Sequence, residues 1–386
     1  METQKLYETD SHRRTCTARV TGCEPAPDGT YRVTLNRTVF YPEGGGQPWD
    51  TGTLGGAAVT AVRERDGQVF HTCSAPLEVG ATVEAEIDWA RRLDLTQQHS
   101  GEHIVSGLVH RAFGYDNVGF HLGKDTVTID FNGPLEEAQL EDLERRANQV
   151  VWDNLPVRVF FLSEDRHEAL DYRSKKALTG RVRLVEYPGV DLCACCGTHV
   201  AQTGEIGLIR LLGAVRFRGG VRMEMVCGGR ALAYDRAVWA QNHRVSNLLS
   251  AKPLETAAAV ERAQEELARA KYRLVQLENR RFAGLARQLA GAGDTLLFEE
   301  GLEPDGVRRL AVAVGEACGG LAAVFSGEDG DYKYALSLPG GDLRDLSRRL
   351  NEALHGRGGG KPPFVQGSVR AAEAEIRAFF DAHRER

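Results

Sequence analysis

A chain of 386 residues is longer than one hydrophobic core usually organises, so two to four domains are expected. With 42% hydrophobic and 26% charged residues it is neither fibrous nor extensively disordered, and Lys+Arg 48 against Asp+Glu 54 leaves a formal charge of −6 that removes any bulk attraction for nucleic acid. Any RNA would have to meet a local basic face. No window approaches about 18 consecutive apolar residues and the opening METQKLYETDSHRR lacks the apolar core of a signal peptide, so no membrane span and a cytoplasmic location are expected. Three of the eight cysteines, Cys193, Cys195 and Cys196, fall within four residues, a spacing that suggests a metal site rather than a disulfide framework.

In chain order, residues 1 to about 90 read as short strands (Thr17–Gly22, Tyr31–Leu35, Val59–Arg63, Val69–Cys73, Thr82–Ile87) punctuated by Asp28-Gly29, Gly55-Gly56 and Asp66-Gly67, the pattern of a small β-barrel or sandwich. Residues 91–235 read as a central α+β domain. It opens with a helix capped at Asp94, with Gln97 three residues on, and closed at Gly114. A strand at Val127–Phe131, an acidic helix from Pro134 to about Asn154 and strands near Val157–Phe161, Val182–Glu186 and Ile206–Leu212 follow. Residues 236–290 form a helical connector in which Val260, Ala263, Leu267, Ala270, Leu274 and Leu277 keep a 3-4-3-4-3 spacing. A helical hairpin packed on the chain itself is the favoured reading over a dimerising coiled coil. Residues 291–386 alternate strand and helix around Gly356-Arg357-Gly358-Gly359-Gly360, an α/β glycine-rich domain. The fold class is therefore α+β and multidomain.

His99 and His103 lie four apart on the expected helix, which aims both imidazoles to one side. About 90 residues on, Cys193-Ala194-Cys195-Cys196-Gly197-Thr198-His199 offers a thiolate and an imidazole at the same spacing. Together they make a Cys/His₃ set suited to Zn²⁺, with Cys195 favoured by its distance in sequence from His199 and with Cys193 and Cys196 open as alternatives.

These residues bring a family into view. The chain resembles the free-standing alanyl-tRNA editing proteins (AlaX) of the long, three-part type, themselves similar to the editing and C-terminal regions of alanyl-tRNA synthetase. The likeness rests on Phe40-Tyr41-Pro42-Glu43-Gly44-Gly45-Gly46-Gln47-Pro48, on the His99/His103 pair, and on Cys195-Cys196-Gly197-Thr198-His199 followed by Thr203-Gly204-Glu205-Ile206-Gly207. The resemblance implies hydrolysis of mischarged alanine tRNA carrying serine, or also glycine, with one zinc per chain on His99, His103, Cys195 and His199. Cys196 departs from the commoner Cys-Gly-Gly-Thr-His pattern.

Glu102, where the synthetase-embedded domain usually has threonine, and His121 are the candidate catalytic residues, and Thr198 or Thr128 could donate to a serine hydroxyl. Gly44-Gly45-Gly46-Gln47 lacks the Gly-Lys-Ser/Thr of a phosphate loop, and no feature resembles an ATP-using synthetase half. It shares a Gly-Gly-Gln triplet with peptide release factors, and in this family it is a signature near the domain junction. Gly358-Gly359-Gly360-Lys361 resembles the glycine-rich signature of the domain shared with DHH-type phosphoesterases, whose Asp-His-His metal half is absent, so Arg357 and Lys361 are candidate RNA contacts. Arg216, Arg218 and Arg222, with Arg210 nearby and Arg173, Lys175, Lys176, Arg181 and Arg183 before the cysteine motif, form a second basic stretch suited to an acceptor stem. Pairing of two copies through the connector or the C-terminal domain is an open alternative, and a zinc-stabilised RNA-binding protein without catalysis is the competing function.

Overall fold

The computed structural model describes residues 2–174 and 179–384 and divides into two compact units, Met1–Asn242 and His243–Arg386. Lys175 and Lys176 lie outside the described residues.

The first unit begins with six strands, β1 (Thr15–Pro25), β2 (Tyr31–Leu35), β3 (Gly52–Leu54), β4 (Ala57–Arg65), β5 (Gln68–Cys73) and β6 (Thr82–Ile87), which close into a barrel in the order β1-β2-β5-β4-β3-β6. Period-two alternation builds it: along β1, Cys16, Ala18 and Val20 point inward while Thr15, Thr17 and Arg19 face solvent. The short strand β3 was not expected, since three residues carry too little periodicity to register.

Helix α1 (Trp89–Phe113) starts earlier than the sequence suggests, because Asp88, not Asp94, is the N-cap and accepts from the Arg91 amide at 3.1 Å. Asp94 lies inside the helix and pairs with Arg230 at 2.6 Å. Every residue from Gln98 to Val109 is buried, so α1 is enclosed on all sides rather than laid on a surface. Around it stand β7 (Asn117–Leu122), β8 (Val127–Phe131), α2 (Glu137–Trp152), β9 (Arg158–Leu162), β10 (Val182–Tyr187), β11 (Asp191–Ala194), β12 (Ile209–Phe217) and β13 (Gly220–Cys227). They form a four-stranded sheet in the order β12-β13-β8-β7 and a three-stranded sheet β9-β10-β11, all antiparallel. Ile104, Val105 and Val109 of α1 join Leu122, Ile129, Met223 and Met225 of the larger sheet in one core. Helix α3 (Gly228–Leu248) follows.

The second unit carries α4 (Thr256–Gln288), β14 (Gly293–Glu299), α5 (Pro304–Cys318), β15 (Gly319–Glu328), β16 (Asp331–Ser337), α6 (Arg344–Ala353), β17 (Arg357–Lys361), β18 (Phe364–Val369) and α7 (Glu373–Arg384). The sheet runs β14-β15-β16-β18-β17, with β14 and β15 parallel and the rest antiparallel. One core joins α5 and the Phe282 end of α4 to Val324 and Ala335, and another joins Phe325 and Tyr334 to Leu350, Ile376 and Phe380. One result extends the sequence reading and one corrects it. The glycine run is an edge strand paired with β18. The apolar row of α4 is not packed on the chain: Leu267, Leu274 and Leu277 are all more than half exposed.

Candidate metal centre

Four-residue spacing on α1 stacks His99 over His103, with ring centroids 5.3 Å apart and planes 19° off parallel. The turn after β11 brings in Cys195 and His199, whose ring lies 5.0 Å from His99 and 4.9 Å from His103. One ligating atom from each of the four residues lies within 4.8 Å of the others. The Cys195 Sγ is 3.4 Å from His99 Nε2, and the Nε2 atoms of His103 and His199 are 3.2 Å apart.

The outer ring nitrogens explain why the inner ones converge. His103 Nδ1 donates to Asp191 Oδ2 at 2.9 Å, and Asp191 is gripped in turn by Arg173 through Nε and Nη2 at 2.7 and 2.8 Å. His99 Nδ1 donates to Gln47 Oε1 at 2.8 Å. With Nδ1 turned outward to an acceptor, each ring leaves Nε2 facing the cluster. Burial opposes ionisation of Cys195, yet His99, His199 and His103 outweigh it and hold the thiol well below its ordinary range. Burial pushes His199 down to about 3, keeping it neutral, while for His103 burial is outweighed by the Asp191 carboxylate and the pKa rises.

These donors fit a tetrahedral zinc. Bonds of about 2.0–2.1 Å to nitrogen and about 2.3 Å to sulfur put corner atoms roughly 3.3 Å apart for two nitrogens and roughly 3.6 Å for sulfur and nitrogen. The observed separations are 3.2 and 3.4 Å. Cys193 is buried on the Asp191 side of His103 and Cys196 is exposed, so neither shares the four-residue cluster.

Other expected residues fall in mixed places. Glu102 is buried, accepting from Ser106 Oγ at 2.6 Å and from Asn117 Nδ2. Asn117 also lines a cavity of about 480 Å³ with His110, Tyr172, Arg173 and Cys193. His121 is exposed: its neighbour Phe120 packs on His99 with centroids 5.1 Å apart, and strand alternation sends His121 to the opposite face, beside Thr128. The Thr198 hydroxyl is engaged inside the protein, 2.7 Å from Thr96 Oγ1 and accepting from Gln47 Nε2 at 2.9 Å. Arg216 and Arg218 are exposed on the β12–β13 hairpin, whereas Arg222 forms a two-pronged pair with Asp130 at 2.7 and 2.8 Å. Arg183 is buried and donates to the Cys195 carbonyl at 2.7 Å, so its charge serves the metal loop rather than a surface. Arg357 and Lys361 are exposed on β17.

The sequence reading gave Gln47 and Asp191 no role at the cluster and counted Arg173 among the RNA-facing cations, whereas it braces Asp191. An acid two residues before Cys193 was the one local signal for a histidine partner; the others depend on long-range folding.

Comparison with known proteins places this geometry. Family profiles match over residues 20–91 (tRNA synthetases class II (A)), 182–226 (threonyl and alanyl tRNA synthetase second additional domain) and 288–385 (DHHA1 domain). The mouse alanyl-tRNA editing protein Aarsd1 is 30% identical over 96% of each chain. The alanyl-tRNA editing protein AlaX-L of Pyrococcus horikoshii is 26% identical over 97% of this chain and 96% of its own. The alanine–tRNA ligase of Natronomonas pharaonis is 32% identical over 95% of this chain, which spans 42% of that enzyme.

Proposed function

The chain belongs to the free-standing alanyl-tRNA editing proteins, and from that premise we propose that it is an aminoacyl-tRNA deacylase that removes serine, and also glycine, from mischarged alanine tRNA with one zinc ion held by His99, His103, Cys195 and His199. The observation that carries the proposal is the convergence of those four ligating atoms within 4.8 Å, with the outer nitrogens of His99 and His103 already bound to acceptors. When bound, zinc supplies a Lewis acid and a template for orienting the ester and water.

The chain's own residues supply the rest. Asp191, braced by Arg173, holds His103 in one tautomer. Glu102, one residue before His103 and held by Asn117, is the proposed proton acceptor for water. His121, exposed on the face away from the cluster, is proposed to meet the tRNA rather than the ester. Arg216 and Arg218 are placed to meet acceptor-stem phosphates, with Arg222 holding the hairpin through Asp130. Hydrolytic work is assigned to residues 1–235 and grip on the tRNA body to the C-terminal domain, through Arg357 and Lys361. The exposed row Val260, Leu267, Leu274 and Leu277 is suited to a second copy of the chain.

A second reading is favoured by one observation: four protein atoms fill a tetrahedron, and the three histidines are each 2% exposed, as in a structural zinc site. Deacylation of seryl-, glycyl- and alanyl-tRNA by purified zinc-loaded protein separates the two. Loss of the seryl and glycyl esters with the alanyl ester spared supports editing; tRNA binding at full zinc occupancy without ester loss supports the structural role.

A further inference from the structure

We propose that Gln47, at the end of the barrel's triple-glycine turn, is a positioning residue of the metal centre, so that the barrel completes the site. The inference rests on the reading that the Cys/His₃ cluster holds zinc. The amide has a fixed orientation. Gln47 Oε1 lies 3.1 Å from the Thr198 backbone nitrogen, which can only donate, so the oxygen faces Thr198 and His99, and Nε2 faces the Thr198 hydroxyl at 2.9 Å. That oxygen, 2.8 Å from His99 Nδ1, requires the proton there and leaves Nε2 as the lone pair facing the cluster.

The loop bearing Gln47 has little freedom. Gly44 and Gln47 exchange backbone hydrogen bonds at 3.1 and 2.9 Å, and the Gly46 carbonyl accepts from the Leu122 amide of β7 at 3.1 Å. Gly46 has φ +84°, and a Cβ there would lie 2.6 Å from the Phe120 ring. Across the site, a Cβ on Gly197 would lie 2.1 Å from His99 Cε1, so only glycine lets the cysteine loop close over the imidazole that Gln47 orients. Asp191 orients one α1 histidine from within the editing fold, and Gln47 orients the other from the barrel. The triple-glycine signature thereby acquires a role in the metal centre.

The test uses the full-length protein and the variants Gln47→Met, which keeps the volume and removes every hydrogen bond, and Gln47→Glu, which keeps an acceptor toward His99 and Thr198. Zinc affinity is measured by competition with a chromogenic chelator, and ligand geometry by the absorption bands of the Co²⁺-substituted protein. Gln47→Met should weaken zinc binding by about 10–100-fold and shift the Co²⁺ bands, whereas Gln47→Glu should stay within several-fold of wild type. If the methionine variant does not fold, ¹⁵N NMR of the zinc-loaded wild type decides, since His99 must carry its proton on Nδ1 and its metal on Nε2. Wild-type affinity in Gln47→Met, or ligation of His99 through Nδ1, overturns the positioning role and leaves the metal reading standing. Absence of zinc binding by the wild type overturns both.

Discussion

The joint between the barrel and α1 depends on an ion pair from which water is excluded. Arg92 and Asp50 are both fully buried. Arg92 Nε reaches both Asp50 oxygens at 3.0 and 3.2 Å, Nη1 donates to the Ser11 carbonyl at 2.7 Å and Nη2 to the Val39 carbonyl at 2.6 Å, while Asp50 also accepts from the Tyr41 amide at 2.6 Å. Asp50→Asn preserves the shape and deletes the counter-charge, leaving a guanidinium in a low-dielectric site; breaking such a pair costs about 3–5 kcal/mol. At a urea dependence of about 2–3 kcal/mol per molar, the midpoint falls by roughly 1–2.5 M. Tryptophan fluorescence is a suitable probe, because Trp49 and Trp89 pack against the barrel core beside the two partners. Arg92→Met should cost a similar amount, and the double variant less than the sum, since no unpaired charge remains. A single Asp50→Asn loss below about 1 kcal/mol, or strict additivity in the double variant, would refute the view that this pair holds the joint.

The remaining predictions concern the metal, pH and RNA. Cys195→Ser should abolish zinc binding while Cys193→Ser retains it, as read by metal analysis of purified protein; the reverse pattern moves the sulfur ligand to Cys193. Burial of His71 lowers its pKa from 6.5 to about 4, with Val33 O accepting from Nδ1 at 3.1 Å and Thr38 Oγ1 lying 2.8 Å from Nε2. The unfolded chain therefore binds a proton that the barrel refuses, so stability is full above about pH 6.5 and declines toward pH 4 by about 3 kcal/mol. Chemical denaturation across that window should show a shallower slope in His71→Phe. Joint reversal of Arg216 and Arg218 to glutamate should weaken tRNA binding and reduce the logarithmic salt slope by about one for each phosphate no longer neutralised, with zinc content unchanged. Unaltered affinity and slope would mean that RNA approaches another face.

The convergence of His99, His103, Cys195 and His199 was legible because its two halves are local: a histidine pair one helical turn apart, and a thiol and imidazole in one short loop. The barrel was legible for the same reason, its strands announcing themselves by alternation and by turns such as Asp66-Gly67, where both residues take positive φ. What depends on a distant partner was not. Gln47 and Thr198 are 151 residues apart in the chain, and no local pattern announces their hydrogen bond. The position of His121 turned on the phase of β7: one residue decides which face a strand side chain takes, and Phe120 took the face toward His99. Arg183 read as one cation among several until burial and the Cys195 carbonyl gave it a different task. The run Arg357–Lys361 carries no strand propensity of its own and is drawn into the sheet by the backbone of β18.

The contact between Ser11 and the cysteine loop sets an order of events during synthesis. Ser11 Oγ accepts from the His199 amide at 3.2 Å, and the Glu8 carbonyl accepts from Arg183 at 2.9 Å, so the segment leading into β1 is tied to residues added nearly two hundred positions later. At about 5–20 residues per second, the ribosome takes roughly 10–40 s to cover that distance. Through that interval the two α1 histidines are on the growing chain without Cys195 and His199, while all six barrel strands are already available to pair. On the proposed zinc reading, metal capture is a late event that locks an already formed barrel to the newly emerged loop, and a nascent chain released before residue 199 would lack both the lock and the full ligand set.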